Sequence, residues 1–311
     1  MEEGKPPLRV RGLRAILRRL PRGRYSVLAA VAPTRGRFIA ELASDAGGAR
    51  FACDLSDQIA REVCMTGLYE PPMTRVLQHH LASGGTAVDL GANWGYFTLL
   101  AAAAVGPGGA VLALEPDPRQ FDALSRNVAL NGFGQVSALQ VAASAAEGRV
   151  SLVGYDEADA NRGVSRIAGV GDRGSGIGDR GSGIGDQGER RFDVAATAVD
   201  LLTASRPRVD VVKIDVEGAE DMVLDGMREG LAARRYRAIL LELHPELLRA
   251  KGVDPASCVA RLREHGYQGW TIDPSSDAYR RALDPRVAVD SLLRPLDRWV
   301  ETPWPHLLWL C

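Results

Sequence analysis

Ala87-Val-Asp-Leu-Gly-Ala-Asn-Trp-Gly-Tyr-Phe-Thr98 opens as an apolar run with an acid, Asp89, near its end; it breaks at Gly91 and Gly95 and resumes as an Ala-rich helical pattern from Tyr96 to Val105. That is a strand, a tight glycine turn and a helix, the first unit of a βαβ fold. Neither glycine carries a Cβ, so the backbone can take unusual dihedrals and let a ligand lie against it. The helix that follows offers free N–H groups at its start, where a carboxylate or polar ligand group is favoured.

Working outward, Val111-Leu-Ala-Leu-Glu115 reads as a second buried strand ending in an acid, 24 positions after Gly91 (115 − 91). In dinucleotide folds an acid at about this distance hydrogen-bonds a ribose diol. The glycine pattern, however, is G-x-x-x-G and not G-x-G-x-x-G, so the pyrophosphate cradle of a nicotinamide dehydrogenase is missing. A ribose-bearing ligand without a pyrophosphate fits the pattern, and S-adenosylmethionine is the expected one.

Composition sets the outer bounds. The chain has 311 residues, 46% of them hydrophobic and 25% charged, with a formal net charge of −1. These are ordinary values for a globular protein, and the charge gives no global field toward nucleic acid. No apolar run reaches the ~18–20 residues that span a bilayer. Residues 1–24 form a basic segment whose apolar positions Leu13, Ile16, Leu17 and Leu20 share one helix face between arginines. It lacks the uninterrupted apolar core of a signal peptide. We expect it to pack on the domain without stable membrane insertion. The four cysteines, Cys53, Cys64, Cys258 and Cys311, contain no C-x-x-C pair. This reads against a disulfide framework and suits a reducing, cytoplasmic setting.

After the basic segment, residues 25–82 read as a small β-rich cap with helices. Tyr25–Val31, Gly36–Leu42 and Arg50–Asp54 are β-like, the last two joined by the turn signal Ser44-Asp-Ala-Gly-Gly48. Helical patterns follow at Gln58–Cys64 and Met73–Leu81, and Tyr69 and Glu70 between them stand ready to close over a ligand. Residues 83–311 alternate strand and helix as one domain: strands at Thr86–Leu90, Ala110–Glu115 and Ser137–Ala143, helices at Tyr96–Val105 and Pro118–Leu130. Ser144, at the end of the third strand, is a candidate adenine contact. Val150–Gly154 and Phe192–Thr197 flank a seven-residue tandem repeat, Gly169–Glu189, whose glycine density points to a flexible insertion over 155–191.

The second informative run is Val209-Asp-Val-Val-Lys-Ile-Asp-Val-Glu-Gly218, a buried central strand delivering Lys213, Asp215 and Glu217 near its carboxyl end. Ala238-Ile-Leu-Leu-Glu-Leu-His244 brings Glu242 and His244 to the same sheet edge. Ligands of open α/β sheets bind beyond those ends. Two strands thus aim acids, a lysine and an imidazole at the place where Gly91–Gly95 holds its ligand. The expected chemistry has Asp215 or His244 accepting a hydroxyl proton while Lys213 and Glu217 orient the acceptor. In a metal-assisted variant, Asp215, Glu217, Glu242 and His244 ligate a divalent ion. The reading from outside enzymology is a binding module without chemistry, with Asp215 and Glu217 locked in structural pairs away from any pocket. A final strand is expected at Pro305–Leu310, and Asp273–Trp304 reads as irregular.

These residues carry a resemblance. Gly67-x-Tyr-Glu-Pro, Val88-Asp-Leu-Gly-Ala-Asn-x-Gly-Tyr-Phe-Thr98, Glu115-Pro116 with Asn127 and Leu130-Asn-Gly132, Thr197-x-x-Asp200-Leu, Lys213-Ile-Asp-Val-Glu-Gly-Ala-Glu220 with Leu224-x-Gly226, and Glu242-x-His244 are together similar to the FkbM family of S-adenosylmethionine-dependent methyltransferases. The resemblance runs from about Gly67 to the C-terminus and excludes the repeat. It implies a class I methyltransferase fold: a Rossmann-like, doubly wound, mostly parallel seven-stranded sheet, here with the N-terminal cap. It also implies methyl transfer to a hydroxyl of a small molecule such as a sugar or polyketide-type natural product. Nucleic acid is not expected as a partner, since no basic, aromatic-laced run outside the N-terminal segment points to it. Residue by residue it sets the cofactor against Asp89, Gly91, Asn93, Gly95 and Tyr96, with Glu115 on the ribose and Pro116 beside it. Tyr69, Glu70, Ser144 and Asp215 complete the expected cofactor contacts, and Lys213, Asp215, Glu217 and His244 form the expected catalytic group.

Overall fold

The computed structural model describes residues 5–20, 24–155, 166–167 and 189–311. Most of the glycine-rich repeat, residues 169–188, lies outside the described residues. Strands β1 (Arg37–Glu41) and β2 (Arg50–Asp54) pair as the expected antiparallel hairpin, with Phe38 opposite Cys53. The segment Tyr25–Val31, expected as a strand, is instead part of a helix, Arg24–Val31. Its alanines and leucine tolerate a helix, and no strand stands beside it to complete a ladder. With helices at Leu8–Arg19, Gln58–Thr66 and Pro71–His80, the N-terminal region is richer in helix than in strand. Its buried side chains Leu17, Phe38, Phe51 and Met65 join Leu99, Leu100 and Val211 of the sheet layer in one apolar core.

The central sheet runs through β3 (Thr86–Leu90), β4 (Ala110–Leu114) and β5 (Val136–Leu139). The chain then turns aside. Where one strand was expected over Ser137–Ala143, β5 stays in the central sheet and β6 (Ala142–Ala143) joins a second sheet with β7 (Gly148–Tyr155), β8 (Arg166–Ile167) and β9 (Glu189–Thr197). The β7–β9 ladder extends to Tyr155 opposite Glu189. Ordered pairing therefore reaches both outer ends of the expected flexible insertion. The central sheet resumes with β10 (Val209–Ile214), β11 (Tyr236–Glu242), β12 (Gln268–Ile272), β13 (Leu293–Pro295) and β14 (His306–Leu310).

Its order is β13-β12-β14-β11-β10-β3-β4-β5. The five strands from β11 to β5 are parallel, and β14 lies antiparallel between β11 and β12. The sheet has eight strands and not the expected seven, because the short edge strand β13 pairs with β12. β13 lies in Asp273–Trp304, which also contains a helix at Ser276–Ala282 and is thus more regular than its composition suggested. After β10 the chain forms two short helices, Glu220–Asp225 and Arg228–Ala232, and not one continuous helix. The break falls at Gly226, where a Cβ would stand 2.0 Å from the Ser144 carbonyl oxygen.

A second correction concerns the cysteines. Cys53 on β2 and Cys64 on helix Gln58–Thr66 are joined as a disulfide, their Cα atoms 5.8 Å apart. Tertiary packing brings together two thiols whose 11-residue separation matches no local motif. The cysteine count therefore lends no support to a reducing compartment. Among the described residues no helix is long and apolar enough to cross a membrane.

Candidate active site

Strand order reverses between the parallel neighbours β3 and β10. From β3 the order proceeds through β4 to β5 on one side and through β10 to β11 on the other. Crevices at such switch points receive ligands in open α/β sheets. Here a cleft with roughly 800 Å³ of free space, solvent-open part included, is lined by Gly91, Asn93, Glu115, Pro116 and Gln120 on one side and by Tyr69, Asp215, Glu217 and Glu242 on the other.

Gly91 makes the floor possible. Its φ is +75°, and a Cβ there would meet the Asp215 carbonyl oxygen at 1.8 Å. Only glycine lets the turn after β3 lie this close to the turn after β10. Asn93 also has a left-handed φ, +51°, and its N–H donates to Glu115 Oε2 at 2.8 Å. The Asp117 N–H donates to Glu115 Oε1 at 2.9 Å, so two turns aim the carboxylate. Burial pushes Glu115 up to about 8, against those two backbone hydrogen bonds. A ligand hydroxyl pair would supply the donors that burial has taken from this acid, as a ribose diol does. On that observation the residues fit an S-adenosyl nucleoside. Ala142, Ala143 and Leu152 continue the lining beside Pro116 as an apolar slot suited to a flat base.

In the opposite half, Lys213 is buried and bridges two acids. Its Nζ donates to Asp215 Oδ2 at 3.0 Å, lies 3.9 Å from Asp89 Oδ1, and stands 4.9 Å from the centre of the Phe97 ring. Burial disfavours the ammonium, but the Asp215 and Asp89 charges outweigh it and raise the lysine. Asp89 in turn accepts from Thr98 Oγ1 at 2.6 Å. His244, also buried, has Nδ1 2.7 Å from Glu220 Oε1 and Nε2 3.2 Å from Glu217 Oε2. Burial works against its charge, yet the Glu220 hydrogen bond and the Glu217 charge bring it up to about 10. Glu217, at φ +51°, is pushed up to about 7 by burial, partly opposed by His244. Burial also lifts Glu242, but His306 (Nε2 3.0 Å from Glu242 Oε2), His244 and Lys213 overcome it and hold the acid near about 2.

The predicted residues therefore divide. Tyr69, Gly91, Asn93, Glu115, Pro116, Asp215, Glu217 and Glu242 line the cleft. Lys213 and His244 lie behind its acids and do not line it. Asp89 sits with Lys213 beneath the floor. The start of the helix at Gly95 packs toward Leu124, and the Tyr96 hydroxyl is spent on Thr74 Oγ1 at 3.0 Å. Ser144 is buried, its N–H on the Thr197 carbonyl. Glu70 faces His306 at 3.8 Å, and burial pushes it up to about 7. His244, expected from sequence as a candidate base, has a carboxylate oxygen near each ring nitrogen, Glu220 at Nδ1 and Glu217 at Nε2. Asp215 and Glu217 are paired, with Lys213 and His244, as a module without chemistry would have them, but both line the cleft and are not held away from it.

Sequence reasoning missed Gln120, Leu152, Glu220 and His306. Gln120 follows the nucleoside acid on the first turn of the next helix and was findable from spacing. Leu152 comes from the second sheet, and nothing local announces that its strand returns to the cleft. Glu220 stood in the quoted motif, but only the fold shows that it backs His244.

A glycine turn after β3, an acid after β4 and a cleft at the switch point define a nucleoside-binding α/β protein with the class I methyltransferase fold. The family profile described as Methyltransferase FkbM domain matches residues 89–268, more than half of the chain. The chain belongs to the FkbM methyltransferase family, the S-adenosylmethionine-dependent type. Methyltransferase sdnD of Sordaria araneosa is 33% identical over 167 residues, covering 48% of this chain and 63% of that protein. The matched stretch thus spans less than two thirds of that relative. Among solved structures, methyltransferase FkbM from Methylobacillus flagellatus KT is similar over 92% of this chain and 58% of that one, at 14% identity and a TM-score of 0.41. TYW2 of M. jannaschii in complex with AdoMet is similar over 90% and 87%, at 12% identity and a TM-score of 0.40.

Proposed function

We propose that this chain methylates a hydroxyl oxygen of a small, polar acceptor such as a sugar-type natural product, with Glu217 as general base. One observation carries the reading: a single cleft presents Glu115 at one end and Asp215, Glu217 and Glu242 at the other. Gly91, Asn93, Glu115 and Pro116 would hold the nucleoside of S-adenosylmethionine, which supplies an electrophilic methyl group when bound. Acids near a sulfonium complement its charge. Carboxylates also accept hydrogen bonds from hydroxyls, which favours a polar acceptor. Asp215, held by Lys213, orients the acceptor, and Glu217 takes the hydroxyl proton.

A base is effective when its pKa lies near the working pH, and Glu217 sits at about 7. The sign follows directly: below that value Glu217 is protonated and cannot accept, above it the carboxylate is free. We expect kcat/KM to rise through pH about 7 to a plateau, measured as S-adenosylhomocysteine release. A rate independent of pH from 5.5 to 8 would remove Glu217 from the role.

The metal-assisted variant has geometric support, since Asp215, Glu217 and His244 each bring a ligand atom within 4.8 Å of the others. The imidazole, however, is satisfied by its proton between Glu220 and Glu217, and a ligand must be neutral. We therefore expect activity to survive EDTA and dialysis; restoration by Mg²⁺ or Mn²⁺ after loss would reverse that assignment. The acceptor is tested with methyl-labelled S-adenosylmethionine against glycosides, polyketide-type alcohols and RNA. Label in RNA alone would overturn the small-molecule reading.

A further inference from the structure

We propose that the first helix, Leu8–Arg19, docks the protein reversibly on an anionic lipid surface. The helix carries two apolar faces. Val10 and Leu17 are buried in the core shared with the hairpin and the sheet layer. Arg14, between them, is buried too, and its Nη2 donates to the Glu41 carbonyl oxygen at 2.9 Å. At about 3.6 residues per turn, Leu8, Gly12, Ala15 and Ile16 fall on the opposite side. All four are exposed, Leu8 at 80% and Ile16 at 57%. The packed face and the Arg14 hydrogen bond fix the roll of the helix, so this second face does not turn inward.

The charges around that face say what covers it. Arg9 and Arg11 flank it, one on each side, and Lys5 precedes the helix; all three are exposed. Among the described residues none of the three makes a side-chain hydrogen bond or an ion pair. Residues 1–24 hold eight basic side chains against two acids, a net of +6 in a chain whose total is −1. Positive charge is thus concentrated where the aliphatic side chains stand out. Aliphatic groups rimmed by arginines suit the boundary between lipid headgroups and acyl chains: leucine and isoleucine enter the apolar zone while the guanidinium groups stay with the phosphates. An RNA offers phosphates to the arginines but no apolar phase to Leu8 and Ile16, and the face has no aromatic ring on which a base would stack. The helix has 12 residues. They rise about 18 Å, short of the ~30 Å hydrocarbon core, so the helix lies on the surface and does not span it.

Co-sedimentation of the full chain with sucrose-loaded vesicles tests this, comparing phosphatidylcholine alone with phosphatidylcholine carrying about 30% phosphatidylserine, in about 0.1 M NaCl. The chain should bind the anionic vesicles at least about tenfold more tightly than the neutral ones, and about 0.5 M NaCl should release it. Leu8→Gln with Ile16→Gln keeps every charge and removes the aliphatic centre. Arg9→Gln with Arg11→Gln keeps the centre and removes its borders. Each pair should weaken binding to anionic vesicles by about tenfold. All four side chains are exposed, so thermal unfolding of both variants should match the parent, which separates loss of docking from loss of folding. No methyl transfer is measured, so the outcome is independent of the acceptor and the base named above. Parent-like binding after Leu8→Gln with Ile16→Gln, equal binding to the two vesicle types, or binding to neither overturns the proposal. Retention on single-stranded RNA with none on anionic vesicles overturns it too, and assigns the face to nucleic acid.

Discussion

Glu217→Gln should slow methyl transfer by about 10²–10⁴-fold, the usual contribution of a positioned base, while S-adenosylhomocysteine binds with nearly unchanged affinity. The amide keeps the size of the side chain and its place on the turn at φ +51°. It cannot take a proton. The half of the cleft proposed to hold the cofactor is lined by Gly91, Asn93, Glu115 and Pro116, all on other turns, so calorimetric affinity should hold. Single-turnover rates at saturating acceptor isolate the chemical step. Parent-like rates would assign proton removal elsewhere, with Asp215 and Glu242 the other acids on that side of the lining.

Lys213→Met should cost about 3–5 kcal/mol of stability, the range for removing one partner of a buried ion pair. Lys213 lies between Asp215 and Asp89, 3.0 and 3.9 Å away, and the lysine and Asp89 side chains are each 4% exposed. Methionine fills much of the space but leaves Asp89 without its counter-charge. Burial already raises Asp89, with Lys213 the largest influence holding it down. Without the lysine its folded pKa rises further, so folding must either bury an anion or take up a proton. The deficit should therefore shrink as pH falls, because a protonated Asp89 needs no partner. Urea unfolding at pH 8 and pH 5 checks both the size and the direction. Adding Asp89→Asn should recover part of the loss at pH 8, and a deficit of under 1 kcal/mol there would mean that the ammonium contributes little.

The core of the fold was legible because its signals are local. A period-two apolar run, a glycine break and a helical run over Ala87–Val105 need no distant partner to be read. The acids Glu115, Asp215, Glu217 and Glu242 were legible because parallel strands deliver their carboxyl ends to one edge. What stayed hidden depends on the third dimension. Tyr25–Val31 has residues acceptable to either strand or helix, and packing settles the matter. The disulfide joins positions that only the β2–helix contact brings together. Most instructive are Lys213 and His244, whose types suggest chemistry: Lys213 lies on β10 as expected, whereas His244 falls beyond the end of β11 and caps the next helix. Which of two charged neighbours faces the cleft and which stands behind it follows from turn geometry after Ile214 and Glu242, and alternation along a strand says nothing about residues beyond its end.

The rung joining Tyr155 to Glu189 separates two fates within one hairpin. On its inner side, Leu152 lines the cleft, and a shift there would move the wall of the proposed nucleoside slot. On its outer side, heptapeptide copies can be gained or lost by replication slippage without shifting the wall by a residue. Copy number there is free to drift between otherwise equivalent enzymes, and deleting whole copies should leave affinity for the methyl donor's product untouched.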